Sequence, residues 1–109
     1  MKLPGLYIRV SPRDTAEIWI AHSPQGLDHY HISGTALWGE DGKYGPNIGD
    51  VDFTAEFRNQ VFEHAETSGD QTHKVTLHFD DGLLKVVDEN SVGFYGMNVT
   101  FEGTYRRAS

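Results

Sequence analysis

The chain contains no cysteine among its 109 residues. This absence excludes disulfide bonds, thiolate metal ligands and cysteine nucleophiles together. Small exported domains often depend on disulfides for stability, so the absence favours a reducing compartment. We therefore expect a cytoplasmic protein, or a periplasmic one if a signal peptide has been removed.

Long hydrophobic runs are absent as well. No apolar stretch approaches the length of a membrane span, and the first residues, MKLPGLYIRV, lack the apolar core and cleavage site of a signal peptide. No window shows a helical period, and no phosphate-binding loop or G-x-S-x-G elbow is present. With 38% apolar residues, the length is that of one domain, which we place over residues 1–109.

The charge is strongly negative and unevenly placed. The net charge is −7, and residues 39–90 carry twelve acidic residues against four lysines and arginines. A field of this sign repels nucleic acid and anionic membranes, and it attracts cations or basic proteins. We therefore expect no nucleic-acid or membrane partner. A soluble acidic surface without any partner is the alternative.

The dominant period along the chain is two. Apolar and polar residues alternate in the segments TAEIWIAH, HYHISGTALW, VDFTAEF, KVTLHF and NVTFEGTY. Such alternation is typical of strands with one face in a core and one in water. With the short, regular spacing of these segments, it predicts an all-β fold. We expect a single antiparallel meander of about eight strands that forms a small barrel or sandwich.

Turn residues separate the alternating segments. Asp81-Gly82 in FDDGLL suits a tight hairpin turn with positive φ. Gly34 and Gly103 lie at inward positions of predicted strands, where a missing side chain permits close approach of a neighbour.

Three segments resemble a group of small bacterial β-proteins, many of them exported and some labelled lysozyme-inhibitor-like. The segments are GLYIRV, NIGDVDFTAEF and VTLHFDDGLLKVVDENSVGFYGMNVTFEGTY. The last part of that group reads approximately CGxYCGANVSFxGxY, and the matching residues are Gly96, Asn98, Val99, Phe101, Gly103 and Tyr105. Ser91 and Tyr95 stand where the two cysteines would be. The resemblance implies a β fold and carries over no catalytic residue.

Six histidines are many for this length. His29 and His31 share the outward face of one predicted strand, which is the pattern of half a metal site, and His78 or an acidic side chain would be a third ligand. Histidines on the wet face of a strand are more common than metal sites. We therefore predict no metal and no cofactor, with these three histidines as weak candidates.

Adjacent carboxylates occur three times, in loops. Such pairs are usually solvated turn residues, and a glycosidase would need two of them at a set distance across a cleft. Nothing in their spacing indicates that cleft, so we predict that the protein is not an enzyme.

Aromatic residues outside the core pattern lie beside acids. Trp19 is off the apolar face of its strand, and two predicted loops combine rings with carboxylates. Exposed rings anchor protein partners, while carboxylates steer and pair with basic groups. The alternative is that both loops fold back and bury their rings. The predicted partner-binding residues are Glu40, Asp41, Tyr44, Asp88, Glu89, Phe94 and Tyr95.

These observations favour a non-enzymatic acidic domain that binds and inhibits a basic protein. In its most concrete form it is an immunity protein that neutralises a basic toxin or enzyme by blocking its cleft. The alternatives are a small-ligand or metal-binding β-barrel and, with less support, an unusual hydrolase. The oligomeric state is left open by the sequence.

Overall fold

The structure, a computed structural model, describes residues 3–10, 15–39, 47–89 and 99–108. Eight antiparallel strands follow one another in a meander, as the period of two predicts. They are β1 (Gly5–Arg9), β2 (Ala16–His22), β3 (His29–Trp38), β4 (Asn47–Glu56), β5 (Val61–Ser68), β6 (Gln71–Asp80), β7 (Leu83–Glu89) and β8 (Gly103–Arg107).

The strands form one sheet that curls into a nearly closed barrel. The strand order is β4-β3-β2-β1-β8-β7-β6-β5, so the first and last strands pair with each other at the centre of the sheet. The two outer strands, β4 and β5, follow one another in the chain but are joined by a single β-bridge, between Arg58 and Val61. Of the two predicted architectures, the barrel is therefore the one that forms.

The inward faces match the alternation in the sequence. Ile18 and Ile20 on β2 are almost fully buried, as are Val75 and Leu77 on β6. Trp38 is an exception, because it ends β3 at the rim of the barrel and stays 41% exposed. The largest fully buried side chains fill the barrel: Tyr7, Tyr105, Phe62, Phe101, Ile18, Ile32, Leu77, Leu84 and Val75.

The turns also follow their sequence signals. Asp81 and Gly82 connect β6 to β7 with φ angles of 50° and 83°, as the tight-turn prediction requires. Asn59 and Gln60 form a second turn of this kind after β4, with φ angles of 54° and 68°. The last strand is shorter than predicted. It begins at Gly103, although Val99 and Phe101 before it are buried in the core.

A five-residue pattern, G-x-Y-x-R, occurs in both central strands, at residues 5–9 and 103–107. In each copy the tyrosine hydroxyl donates a hydrogen bond to the carbonyl four residues earlier: Tyr7 to Leu3 at 2.8 Å and Tyr105 to Phe101 at 2.6 Å. Burial raises the pKa of both hydroxyls, most strongly for Tyr105.

The arginines of the two copies cross over to the opposite strand. The guanidinium of Arg107 donates to the Tyr7 hydroxyl at 3.1 Å and to the Pro4 carbonyl. The guanidinium of Arg9 donates to the Thr100 carbonyl at 2.7 Å. Each arginine therefore holds the segment that leads into the partner strand, and together they fix the centre of the sheet.

Candidate functional site

An exposed indole stands on the outer surface of β2. Trp19 is 48% exposed, because the alternation that buries Ile18 and Ile20 turns it outward. Its cross-strand neighbours are Leu6 on β1 and Ser33 on β3. The ring lies outside the core, so its exposed surface is available for contact with another molecule.

The strand register brings acidic residues to this indole. In one row across the sheet Glu17 pairs with Thr35, which pairs with Asp50. In the next row Trp19 pairs with Ser33, which pairs with Asp52. The short side chains of β3 leave a groove of about 330 Å³ between the taller side chains of β2 and β4. We call this surface the Trp19 face, and it consists of Glu17, Trp19, Ser33, Thr35, Asp50 and Asp52.

Two of the three carboxylates are held by neighbours on β3. The Thr35 hydroxyl donates a hydrogen bond to Asp50 Oδ1 at 2.9 Å. His31 Nε2 lies 2.9 Å from Asp52 Oδ1, and both of these side chains are largely exposed. These contacts orient the carboxylates without neutralising them by lysine or arginine.

The outward charges of the two halves of the sheet differ. At the described outward strand positions of β1–β4 the charged residues are Glu17, Asp50, Asp52 and Glu56, and none is a lysine or arginine, although Arg58, just after β4, is ion-paired with Glu56. On β5–β8 three acids alternate with three bases, and two pairs are in contact: Lys74 with Glu63 at 3.9 Å and Lys85 with Asp80 at 3.5 Å. Among the outward strand positions, acids without lysine or arginine between them are therefore found on the half that carries Trp19.

Apolar side chains adjoin the Trp19 face toward the rim of the barrel. Ile8 is 42% exposed and Ile48 is 55% exposed, and Ile48 pairs with Leu37 across β3 and β4. A second groove of about 250 Å³ runs between Ile8 and Leu37. Apolar positions bordered by charged ones are the general arrangement of a protein-binding surface.

Only two of the seven predicted partner-binding residues lie in the described part of the chain. Glu40, Asp41, Tyr44, Phe94 and Tyr95 lie outside the described residues. Glu89 is exposed at the end of β7. That strand end and the β3 end at Trp38 lie at the same end of the barrel, because the meander reverses at each strand.

Asp88 does not take the exposed position that its prediction requires. Its side chain is completely buried and accepts hydrogen bonds from the Phe101 amide at 2.8 Å and the Thr100 hydroxyl at 3.2 Å. His73 Nε2, also buried, lies 2.5 Å from its other oxygen. Asp88 points inward because it alternates with Val87 and Glu89 on β7. It fastens the segment before β8 to β6, so it belongs to the internal structure and not to a partner surface.

The three candidate metal ligands are not brought together. His29 and His31 share the outward face of β3 as predicted, whereas His78 belongs to β6 in the other half of the sheet. His31 contacts Asp52, and His29 Nδ1 is buried against Gly26 without a described hydrogen-bond partner. In the described ranges, no three histidine or acidic side chains converge as metal ligands would.

No protein-family model matches the sequence. Comparison with curated proteins finds no match, and comparison with solved structures finds none either. The resemblance in the last segment therefore stays a sequence-based expectation. Within the described residues, no helix has the length and apolar character needed to cross a bilayer.

Only part of the Trp19 face could be predicted from the sequence. The outward position of Trp19 follows from local alternation. Asp50 and Asp52 come more than thirty positions later in the chain, and the β2–β3–β4 register places them in the rows beside Trp19. A prediction of strand pairing from the alternating segments would have been needed to find it.

Proposed function

We propose that the protein is a non-enzymatic acidic domain that binds a basic protein through the Trp19 face. The observation that carries this proposal is the combination of an exposed indole with three carboxylates, on strands whose described outward positions include no lysine or arginine. In its most concrete form the protein is an immunity-type inhibitor that covers the cleft of a basic toxin or enzyme inside the cell.

The parts of this face have separate physical roles. The carboxylates of Glu17, Asp50 and Asp52 raise the rate of encounter with a basic surface, and salt screens this effect. The Trp19 ring supplies apolar area that is desolvated on contact, as anchor residues do in protein interfaces. The groove beside Ser33 and Thr35 offers room for a long basic side chain to lie along the ring, where a cation is attracted to the indole.

The alternative, a small molecule inside the barrel, has less support. The interior is occupied by large side chains, including Tyr7, Tyr105 and Phe101, none of which is exposed. A ligand in that space would have to displace them at a cost comparable to losing part of the core.

The first test is a pull-down from lysate of the source organism with the tagged domain, washed at low salt and eluted with a salt step. The recovered partner is then purified and its Kd is measured for the unaltered protein and for three variants. Trp19→Ala should weaken binding by about 30-fold or more, as loss of an anchor does. Asp50→Asn with Asp52→Asn should lower the association rate and reduce its dependence on salt.

Val87→Ala is the matched control, because Val87 is also 48% exposed but lies on β7, outside the Trp19 face. Its affinity should equal that of the unaltered protein. Binding that is unchanged between low and high salt, or that Trp19→Ala leaves intact, would refute the proposal.

A further inference from the structure

The seam between β4 and β5 is the one place where the described barrel is not closed by backbone pairing. Beyond the Arg58–Val61 bridge, no described strand pairs with the second side of β4 or of β5. Aromatic contacts cross the seam instead: the Phe53 and His64 rings stack with centroids 4.3 Å apart, and the Phe57 and Phe62 rings lie 4.9 Å apart. An edge with unpaired N–H and C=O groups is a template for another strand.

The reason that the seam stays open is visible beside its turn. The Arg58–Val61 pair begins a tight hairpin, and continuing its register would set Glu56 directly opposite Glu63. Like charges at directly opposed positions destabilise strand pairing. Glu56 instead forms an ion pair with Arg58 at 2.5 Å, and Glu63 lies 3.9 Å from Lys74 on β6.

The two ends of the turn are held by other parts of the barrel. The Phe57 amide donates to the Asp28 carbonyl at 2.7 Å, and the Phe79 amide donates to the Gln60 carbonyl at 2.9 Å. These bonds extend the β3–β4 and β5–β6 pairings by one residue each, so each side of the turn stays with its own neighbouring strand. The strands therefore separate beyond the turn and leave a groove of about 460 Å³, which is lined by Thr54, Ala55, Glu56, Arg58, Asn59, Val61 and Glu63.

The edge of β4 has a repeating chemical pattern. Its outward positions include Asp50, Asp52 and Glu56, and its inward positions include Phe53 and Ala55. A strand laid beside β4 would meet carboxylates on one face and apolar side chains on the other. A complementary strand would alternate lysine or arginine with apolar residues.

We propose that the β4 edge of this seam accepts an extended segment of a basic partner, in which basic and apolar residues alternate. The segment pairs with β4 through backbone hydrogen bonds, and its basic side chains lie opposite Asp50, Asp52 and Glu56. A second copy of this chain is a poor occupant, because pairing β4 with β4 would bring the two acidic rows together. The proposal rests on the proposed function for the basic character of the partner, and it shares Asp50 and Asp52 with the Trp19 face, but it does not depend on Trp19 itself.

The test uses a capped synthetic peptide of seven residues that alternates lysine and valine, titrated into ¹⁵N-labelled protein. We expect the β4 amides to shift. A fully N-methylated peptide keeps the side chains and charges but offers no N–H donor, so it should bind at least tenfold more weakly. A peptide that alternates glutamate and valine should not bind.

Glu63→Lys tests the seam itself. A lysine here removes the like-charge opposition to Glu56, so it should favour closure of the seam and weaken peptide binding at least fivefold. Glu102→Lys makes the same change of charge at an exposed position outside the seam and is the matched control. Trp19→Ala should leave the peptide affinity unchanged.

The outcomes separate the two proposals. Equal affinity for the N-methylated peptide, or equal effects of Glu63→Lys and Glu102→Lys, would overturn the strand-acceptor proposal and leave the Trp19 face as the docking surface. No binding of the lysine–valine peptide, or shifts confined to other strands, would also overturn it. If the peptide binds at β4 and Trp19→Ala leaves the affinity for the recovered partner unchanged, the strand-acceptor proposal is supported. The proposed role of the Trp19 face is then refuted.

Discussion

Replacement of Gly34 by alanine should destabilise the fold more than replacement of Gly82 by alanine. Gly34 lies on β3 directly opposite Ile18. An added Cβ would lie 2.4 Å from the Glu17 carbonyl oxygen and 3.2 Å from Ile18 Cγ1. The nearest atom belongs to the backbone of a paired strand, so it cannot move aside by a change of rotamer.

The expected loss of stability depends on how far the two paired strands must move apart. Relief of the contact requires β2 and β3 to separate locally, within their paired region. Overpacking of this kind costs about 1–3 kcal/mol, and each weakened backbone hydrogen bond adds about 0.5–1.5 kcal/mol. We expect a loss of about 2–4 kcal/mol in the free energy of unfolding. For a domain of this size that lowers Tm by about 10–25 °C.

Gly82→Ala is the comparison that isolates the steric term. Gly82 has a φ of 83° and nothing within 4 Å of an added Cβ, so alanine there pays only the conformational cost, about 1–2 kcal/mol. Urea unfolding followed by far-UV circular dichroism gives both values on the same scale. If Gly34→Ala lost no more stability than Gly82→Ala, the argument from close strand approach would be wrong.

Two further predictions concern buried polar groups. Asp88→Asn removes the charged partner of the buried His73 and should cost about 2–4 kcal/mol in urea unfolding; a loss below about 0.5 kcal/mol would contradict the role given to Asp88. Because burial raises the pKa of Tyr105 in the folded state, its contribution is intact below about pH 10 and falls as the pH rises further. In the unaltered protein this effect lowers the free energy of unfolding by about 1.4 kcal/mol per pH unit between about pH 10 and 12. In Tyr105→Phe that part of the decline should be absent. An unchanged slope in that range would refute this reasoning.

Local sequence patterns predicted much of the fold. The period of two correctly assigned Ile18, Ile20, Val75 and Leu77 to the core, because neighbouring residues of a strand must face opposite sides of a sheet. The Asp81-Gly82 turn was predicted for a similarly local reason, since its φ angles depend on the residues in the turn itself. The close approach at Gly34 was also expected, although the atom that makes it, the Glu17 carbonyl, was not.

The candidate site was less accessible to sequence reasoning. The prediction concentrated on acids beside aromatic residues in loops, and five of those seven residues lie outside the described ranges. Asp88 shows why being adjacent in sequence to an exposed acid does not predict exposure. On β7 its side chain faces opposite to its exposed neighbours and accepts a hydrogen bond from the Phe101 amide. The two G-x-Y-x-R segments can be read in the sequence. That the arginine of each segment binds the other strand or the residues that lead into it follows only from the pairing of β1 with β8.

The sequence by itself determined which face of most strands is apolar and turns inward, where most chain reversals occur and that the protein carries excess negative charge. These properties depend on neighbouring residues or on composition alone. Only the tertiary structure decided that Asp50 and Asp52 stand beside Trp19, that Asp88 is buried, and that the barrel stays open between β4 and β5. Each of these depends on register between strands distant in sequence or on the closure of the whole sheet. Register and closure are set by the packing of all eight strands together, so no short segment encodes them.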